Sequence, residues 1–314
     1  MQRCKKLSIF SILSICMLQF FTACAQDSEI VLTSEVQRAV ISELRKNVSK
    51  NYIIRDMAAE IDKKLQQKLD AQAYDDIDSF EAFSEALTSD LRAWSGDLHF
   101  LVFYTGVPPK PGDIIARQPK TPMTTMLEGK IAHFQNITKL SNRQRDAFVD
   151  AMKTVENADG LIIDLRECSG GDRKAVNLLT SYFFEKPIYL HTFEEIGKKP
   201  QEVWTSKKIP GKRLPDIPIY VLTSKATASG GESLAYLLKH HNRAKIVGEV
   251  TKGAAHGVRT YDLAYKYRAF IPYFRTIHPA TNANWEAKGV IPDILVPAEA
   301  ALDEAHQHLL KAKE

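Results

Sequence analysis

Three segments of this chain join a tight turn to small residues and a polar side chain, a combination that a plain scaffold does not need. The first, Ile163-Asp164-Leu165-Arg166-Glu167-Cys168-Ser169-Gly170-Gly171-Asp172, ends an apolar run in paired glycines. Backbone N–H groups in such a turn can approach a ligand or a developing negative charge. Read alone, it is more simply a strand-to-helix turn. The second, Leu222-Thr223-Ser224-Lys225-Ala226-Thr227-Ala228-Ser229-Gly230-Gly231-Glu232, would expose the Ser229 hydroxyl at a helix N-terminus, with the next N–H groups placed for an oxyanion. Ser229 with Glu232 three positions on also makes a capping box, and local sequence favours that cap. The third, Asn284-Trp285-Glu286-Ala287-Lys288-Gly289-Val290-Ile291-Pro292-Asp293, offers an acid that either orients a histidine or faces solvent, with solvent the default. The serine does not sit in the Gly-x-Ser-x-Gly pattern of the α/β-hydrolases. His240-His241 and His306-x-His308 lack zinc spacing, and there is no His-Glu-x-x-His, phosphate loop or Gly-x-Gly-x-x-Gly. Neither a metal nor a cofactor is implied.

Positioning these segments requires an ordered core, and 314 residues with 44% hydrophobic and 25% charged content can build one. Val31, Val36, Val40 and Leu44, then Met57, Ile61, Leu65 and Leu69, then Phe80, Phe83, Leu87 and Leu91 recur at helical spacing, which predicts a helical bundle over 28–93. After Ser95-Gly96 the texture changes to short apolar runs alternating with helices. Strands are expected at Leu98–Tyr104, Lys130–Phe134, Gly160–Leu165, Ile217–Leu222 and Ala244–Val247. Helices are expected at Asn142–Glu156, Ala175–Phe184, Ser229–His240 and Glu299–Lys311. Further strand candidates lie near Tyr261, at Ala269–Tyr273 and at Ile294–Val296. This alternation predicts βαβ crossovers, an α/β class and a mostly parallel sheet in a core over 95–314.

The first 26 residues read as a targeting segment. Arg3, Lys5 and Lys6 precede an apolar run from Leu7 to Phe21 and the small residues Thr22-Ala23-Cys24-Ala25. Two outcomes fit: a signal peptide over 1–25 cleaved before Gln26, or a lipoprotein signal over 1–23 with lipid and membrane attachment at Cys24. Either places the protein outside the cytoplasm, in a periplasm or on an outer surface. Loss of the segment reduces the formal charge from +4 to +1 and removes Cys4 and Cys16, so only Cys168 remains as a free thiol in a lipidated chain. A charge this small, without a concentrated basic face, argues against a nucleic-acid partner.

The three segments, in this order, resemble the C-terminal processing (tail-specific) serine peptidases, in the branch that includes the tricorn core and the interphotoreceptor retinoid-binding protein modules. The resemblance covers about Ser95 to Pro297 and is best from Thr223 through Gly248-Glu249-Val250-Thr251-Lys252-Gly253-Ala254-Ala255-His256. It implies a crotonase-like β/α core, peptide or protein substrates, no cofactor, and a nucleophile at Ser229. The lysine that usually serves this serine would stand at Ala254, and Lys252 is two positions early. The tricorn-like branch uses a histidine and a glutamate instead. Ser95-Gly96-Asp97-Leu98-His99 and Trp285-Glu286-x-x-Gly289-Val290-x-Pro292-Asp293 resemble the segments that carry them. The resemblance therefore implies a Ser229, His99, Glu286 triad working through an acyl-enzyme. Gly230 and Gly170 or Gly171 would form the oxyanion hole, and His256 would bind substrate or line the site. About thirty residues separate His99 from Lys130, too few for a PDZ domain, and Gly106–Pro122 with its five prolines reads as a rim loop or a short hairpin. The retinoid-binding relatives leave a second reading open, a noncatalytic carrier of an apolar ligand or peptide on the same fold.

Overall fold

The computed structural model describes residues 31–106 and 120–313; the targeting segment and most of the Gly106–Pro122 stretch lie outside them. Three helices come first: α1 (Ser34–Asn51), α2 (Arg55–Asp70) and α3 (Phe80–Ser95). Strands β1 (Leu101–Tyr104), β2 (Met123–Leu127) and β3 (Ile131–Gln135) follow, then α4 (Arg145–Val155), β4 (Gly160–Asp164) and α5 (Arg173–Ser181). Next come β5 (Tyr189–Glu195), β6 (Gln201–Trp204), β7 (Ile219–Thr223), α6 (Gly230–His240) and β8 (Lys245–Gly248). The chain closes with β9 (Gly257–Asp262), β10 (Tyr267–Ile277), β11 (Ile294–Leu295) and α7 (Ala301–Lys311).

One sheet has the order β11-β8-β7-β4-β3-β2, parallel throughout except for the β2–β3 pair. Its central strands β4, β7 and β8 are largely apolar runs because helices cover both faces. Ile131, Ile162, Leu222 and Val247 lie beneath Ala301, Ala305 and Leu309 of α7. On the opposite face Phe134, Leu161, Ile163 and Val221 pack with Phe148 and Met152 of α4, Leu179 of α5 and Leu234 of α6. Burying one such leucine is worth roughly 1.5–3 kcal/mol.

The second sheet, β1-β10-β5-β6 with β9 also on β10, is antiparallel. The sequence pattern does not anticipate β2, β5 or β6. Their polar and apolar residues mix because these strands stand at edges or on half-covered faces. The helices pack on this sheet, α1 against β10 and α3 against β1, and the Ile53 N–H donates to Pro272 O at 3.0 Å. Val36, Val40, Ile41, Leu44 and Val48 form the buried face of α1, whereas Val31 precedes the helix and is 68% exposed. Residues from Leu32 onward make one compact unit.

Arg166 joins the end of β4 to the tail of the chain. Its guanidinium donates to Asp164 Oδ1 and Oδ2 at 2.9 and 2.6 Å and to Ala298 O at 2.8 Å, just ahead of α7. Burial alone would raise the Asp164 carboxyl, but hydrogen bonds from His133 and Arg166 hold it well below the usual carboxylate range.

Candidate active site

Ser229 stands where the turn after β7 enters α6. The turn is stitched to its counterpart after β4: Thr227 Oγ1–H donates to Leu165 O at 2.8 Å and Ala228 N–H to Cys168 O at 2.9 Å. Held this way, Ser229 has φ 48° and ψ −112°. An ordinary N-cap is extended, and a non-glycine residue in this region stores about 1–3 kcal/mol of strain that its surroundings must offset. The capping box read from the sequence is present, with the Ser229 N–H donating to Glu232 Oε2 at 2.7 Å. The fully buried Glu232 does more than cap. It also receives Thr251 Oγ1–H at 2.5 Å, Gly253 N–H at 2.6 Å and Ala254 N–H at 3.0 Å, and so binds the start of α6 to the loop after β8.

The glycine turn after β4 lies against the serine. A Cβ on Gly170 (φ 135°) would stand 3.1 Å from Ser229 Cβ and 3.5 Å from Oγ, and one on Gly230 would meet Gly171 N at 2.7 Å. No side chain fits between these backbones. Gly230 opens α6, so its N–H has no acceptor within the helix. Cys168 lies beneath the turn, buried and unpaired. Burial pushes its thiol up to about 11, so it serves as packing and not as a nucleophile.

Asp97 and His99 follow α3, whose end is closed by Gly96 in a left-handed conformation (φ 69°). Asp97 is 1% exposed and gathers three donors. Oδ1 accepts the His99 N–H at 3.0 Å; Oδ2 accepts His256 Nδ1–H at 2.6 Å and the Tyr52 hydroxyl at 3.3 Å. Burial alone would raise the carboxyl, but the His256 imidazole and then His99 hold it well below the usual range. The Tyr52 hydroxyl is driven the other way, by burial and by the Asp97 charge. His99 Nδ1 lies 3.7 Å from Asp97 Oδ1, too far for a hydrogen bond, and is buried without a partner among the described residues.

Glu286 reaches the same cluster from the tail side. Its Oε2 accepts the N–H groups of Ala255 at 2.6 Å and His256 at 3.1 Å and lies 3.7 Å from His256 Nδ1. Burial and then the Asp97 charge raise its carboxyl. Among the described residues, the imidazole within 4 Å of Glu286 is that of His256 and not, as the resemblance implied, that of His99. Asp97, His256 and Glu286 each offer one ligand atom within 4.8 Å of the others, a spacing that suits a metal ion. Here His256 Nδ1–H is donated to Asp97 and Glu286 Oε2 receives two backbone N–H groups, so the cluster is knit by protons.

Two cavities open on this centre. The larger, about 830 Å³, is lined by Ser229, Gly230, Gly171, His99 and His256. The smaller, about 530 Å³, is lined by Ser229, Gly170, His99, Leu98 and Lys252. Ser229 and His99 border both. Ala254 occupies the position of the lysine expected after the serine, and its N–H is bound to Glu232. Of the groups knit into this cluster, sequence reasoning passed over two. Asp97 stood inside a quoted motif but was assigned no role, and Tyr52 ends α1 with no signal except an aromatic at a helix terminus.

A β/α chain with a strained serine at a helix mouth, glycine turns against it and an imidazole in the same cleft belongs to a definable class. Residues 130–296 match peptidase family S41, and residues 22–141 match the N-terminal domain of family S41 peptidases in eukaryotic IRBP. The chain belongs to peptidase family S41. It is 26% identical over 192 residues to a carboxyl-terminal-processing protease of Picosynechococcus sp.. That match takes in 60% of this chain and 44% of the relative, so the chain spans less than half of that protein. Its fold is similar to the tricorn protease (TM-score 0.60, 14% identity, 89% of this chain and 37% of that one). It is also similar to the photosystem II D1 C-terminal processing protease (TM-score 0.56, 14% identity, 84% and 94%). Both likenesses bear on architecture: the expected β/α core is present, and among the described residues no further domain stands between β1 and β2.

Proposed function

We propose that this protein is an exported serine peptidase in which Ser229 is the nucleophile and His99 its base. The observation that carries this reading is the strained backbone of Ser229 against the Gly170-Gly171 turn, at the boundary of two cavities that His99 also lines. A serine hydroxyl is a weak nucleophile until a neighbouring imidazole removes its proton. Ser229 Oγ attacks the peptide carbonyl while His99 takes the proton. His99 then returns it to the amine as the C–N bond breaks, and water releases the acyl group by the same steps in reverse. The N–H of Gly230 and that of Gly170 or Gly171 hold the oxyanion, and losing one donor costs about 2.7–4 kcal/mol of barrier. Glu286 takes part by fixing the Ala255–His256 backbone and by placing its carboxyl near both imidazoles. With Nδ1 donated to Asp97, His256 offers Nε2 to the substrate in the larger cavity.

Labelling by a serine-directed fluorophosphonate tests the reading. It is expected in the intact protein, absent in Ser229→Ala and strongly slowed in His99→Ala, and a folded protein that takes no label overturns it. The competing reading, an apolar-ligand carrier, draws on Leu178, Leu190, Leu237 and Trp285 in the larger cavity. It requires saturable ligand binding without labelling. Export rests on residues 1–26 alone, and the mass of the mature N-terminus distinguishes cleavage before Gln26 from lipid on Cys24.

A further inference from the structure

We propose that Asp97 is the positioning carboxylate of this site, holding His256 and His99 with the proton on Nδ1 so that His99 Nε2 is free to receive the Ser229 proton. The inference rests on the peptidase reading and adds to it a residue that neither the triad pattern nor the family comparison assigned.

The two oxygens of Asp97 have different tasks. Oδ2 is fixed by His256 Nδ1–H at 2.6 Å and by the Tyr52 hydroxyl at 3.3 Å. Oδ1 accepts the backbone N–H of His99 at 3.0 Å and is the carboxylate oxygen facing His99 Nδ1, 3.7 Å away. That nitrogen is buried and has no partner among the described residues, and leaving a buried donor unpaired costs about 1–3 kcal/mol. A ring movement of about 0.8 Å would close the bond, the kind of tightening expected when substrate enters an empty site. A turn after a helix needs only a neutral oxygen to accept the His99 N–H, so Asn or Ser would do. A carboxylate that is 1% exposed is costly unless charged or strongly polar groups face it. The two imidazoles and the tyrosine are those groups. Glu286 is placed differently: its Oε2 is occupied by two backbone N–H groups and no His99 nitrogen lies within 4 Å of it.

The test uses the full chain with ¹⁵N-labelled histidine, where long-range couplings report which ring nitrogen carries the proton. Both His99 and His256 are expected as the Nδ1–H tautomer. In Asp97→Asn the two rings are expected to leave that tautomer, and fluorophosphonate labelling to slow by about 10³-fold or more, as the loss of a triad carboxylate does. Glu286→Gln should keep the His99 tautomer. A parent His99 found as Nε2–H overturns the proposal, and so does a folded Asp97→Asn that labels within about threefold of the parent. If Asp97→Asn does not fold, the tautomer in the unaltered chain still decides. A parent that shows the expected tautomers but takes no label sinks the peptidase reading and leaves the positioning role of Asp97 intact.

Discussion

Among the described residues, histidines at least half-buried form two groups beside the larger cavity, which His99, His256 and His191 line, and the surroundings of the two groups differ. His99 and His256 share the Asp97 carboxylate. His191, His240, His241 and His278 pack among themselves and with Tyr236: the His278 ring lies 4.5 Å from His241, 5.6 Å from His240 and 5.7 Å from Tyr236. In this second group burial comes first and neighbouring positive groups second, and together they push His191 and His278 down to about 4. An imidazole buried without a carboxylate becomes a neutral aromatic wall. On the reading proposed above, the same ring set against one takes a fixed tautomer and offers its other nitrogen for proton transfer.

The largest expected effect separates the groups by function. His99→Ala should slow fluorophosphonate labelling by about 10²–10⁴-fold, whereas His278→Gln should label within about threefold of the parent. Equal losses would erase the distinction. The second effect concerns stability against pH. Folded His191 and His278 accept a proton only near pH 4, while the unfolded chain accepts it near 6.5, so the unfolded state binds more protons between those values. Stability should therefore fall as pH drops from 6.5 to 4, by up to about 1.4 kcal/mol per pH unit for each ring. Asp97 is lowered instead, so its contribution persists through that window and is lost only below the ordinary carboxylate pKa. Urea denaturation across pH, compared with His278→Phe, should show the flatter profile in the variant; parallel profiles would contradict the neutral-wall reading. The smallest effect is Tyr52→Phe, which removes one hydroxyl from Asp97 and should cost about 0.5–1.5 kcal/mol of stability. Labelling in that variant should stay within a few-fold of the parent.

The parallel sheet was legible because its central strands are covered on both faces and read as apolar runs such as Leu161-Ile162-Ile163. Helix α6 was legible from its cap and apolar spacing. The antiparallel sheet was harder to see. Tyr189–Glu195 and Gln201–Trp204 alternate imperfectly, and β1 pairs with β10 across most of the chain, Leu101 opposite Phe270. Ser229 and the glycine turns could be marked by local chemistry. The partner of His256 could not, since Asp97 is 159 residues away and only closure of the second sheet and its helices brings the two together. Glu286 was expected beside His99, and it stands beside His256 instead. Which ring it would stand beside depended on how the Ala255–His256 backbone turns, and residue spacing does not encode that.

The Arg166 guanidinium, shared between Asp164 and the Ala298 carbonyl, has a consequence for how the chain tolerates trimming. The backbone running from Arg166 to Gly171 forms one wall beside the serine, and its footing is the stretch that launches the terminal helix. Clipping the polypeptide after Pro297 would strip the lid from Ile162 and Leu222 and release that footing in a single event. Shortening at the other extremity would remove the Tyr52 prop beneath Asp97. The proposed centre thus leans on two distant stretches, around Tyr52 and around Ala298, and limited proteolysis at either should disarm it before the middle unfolds.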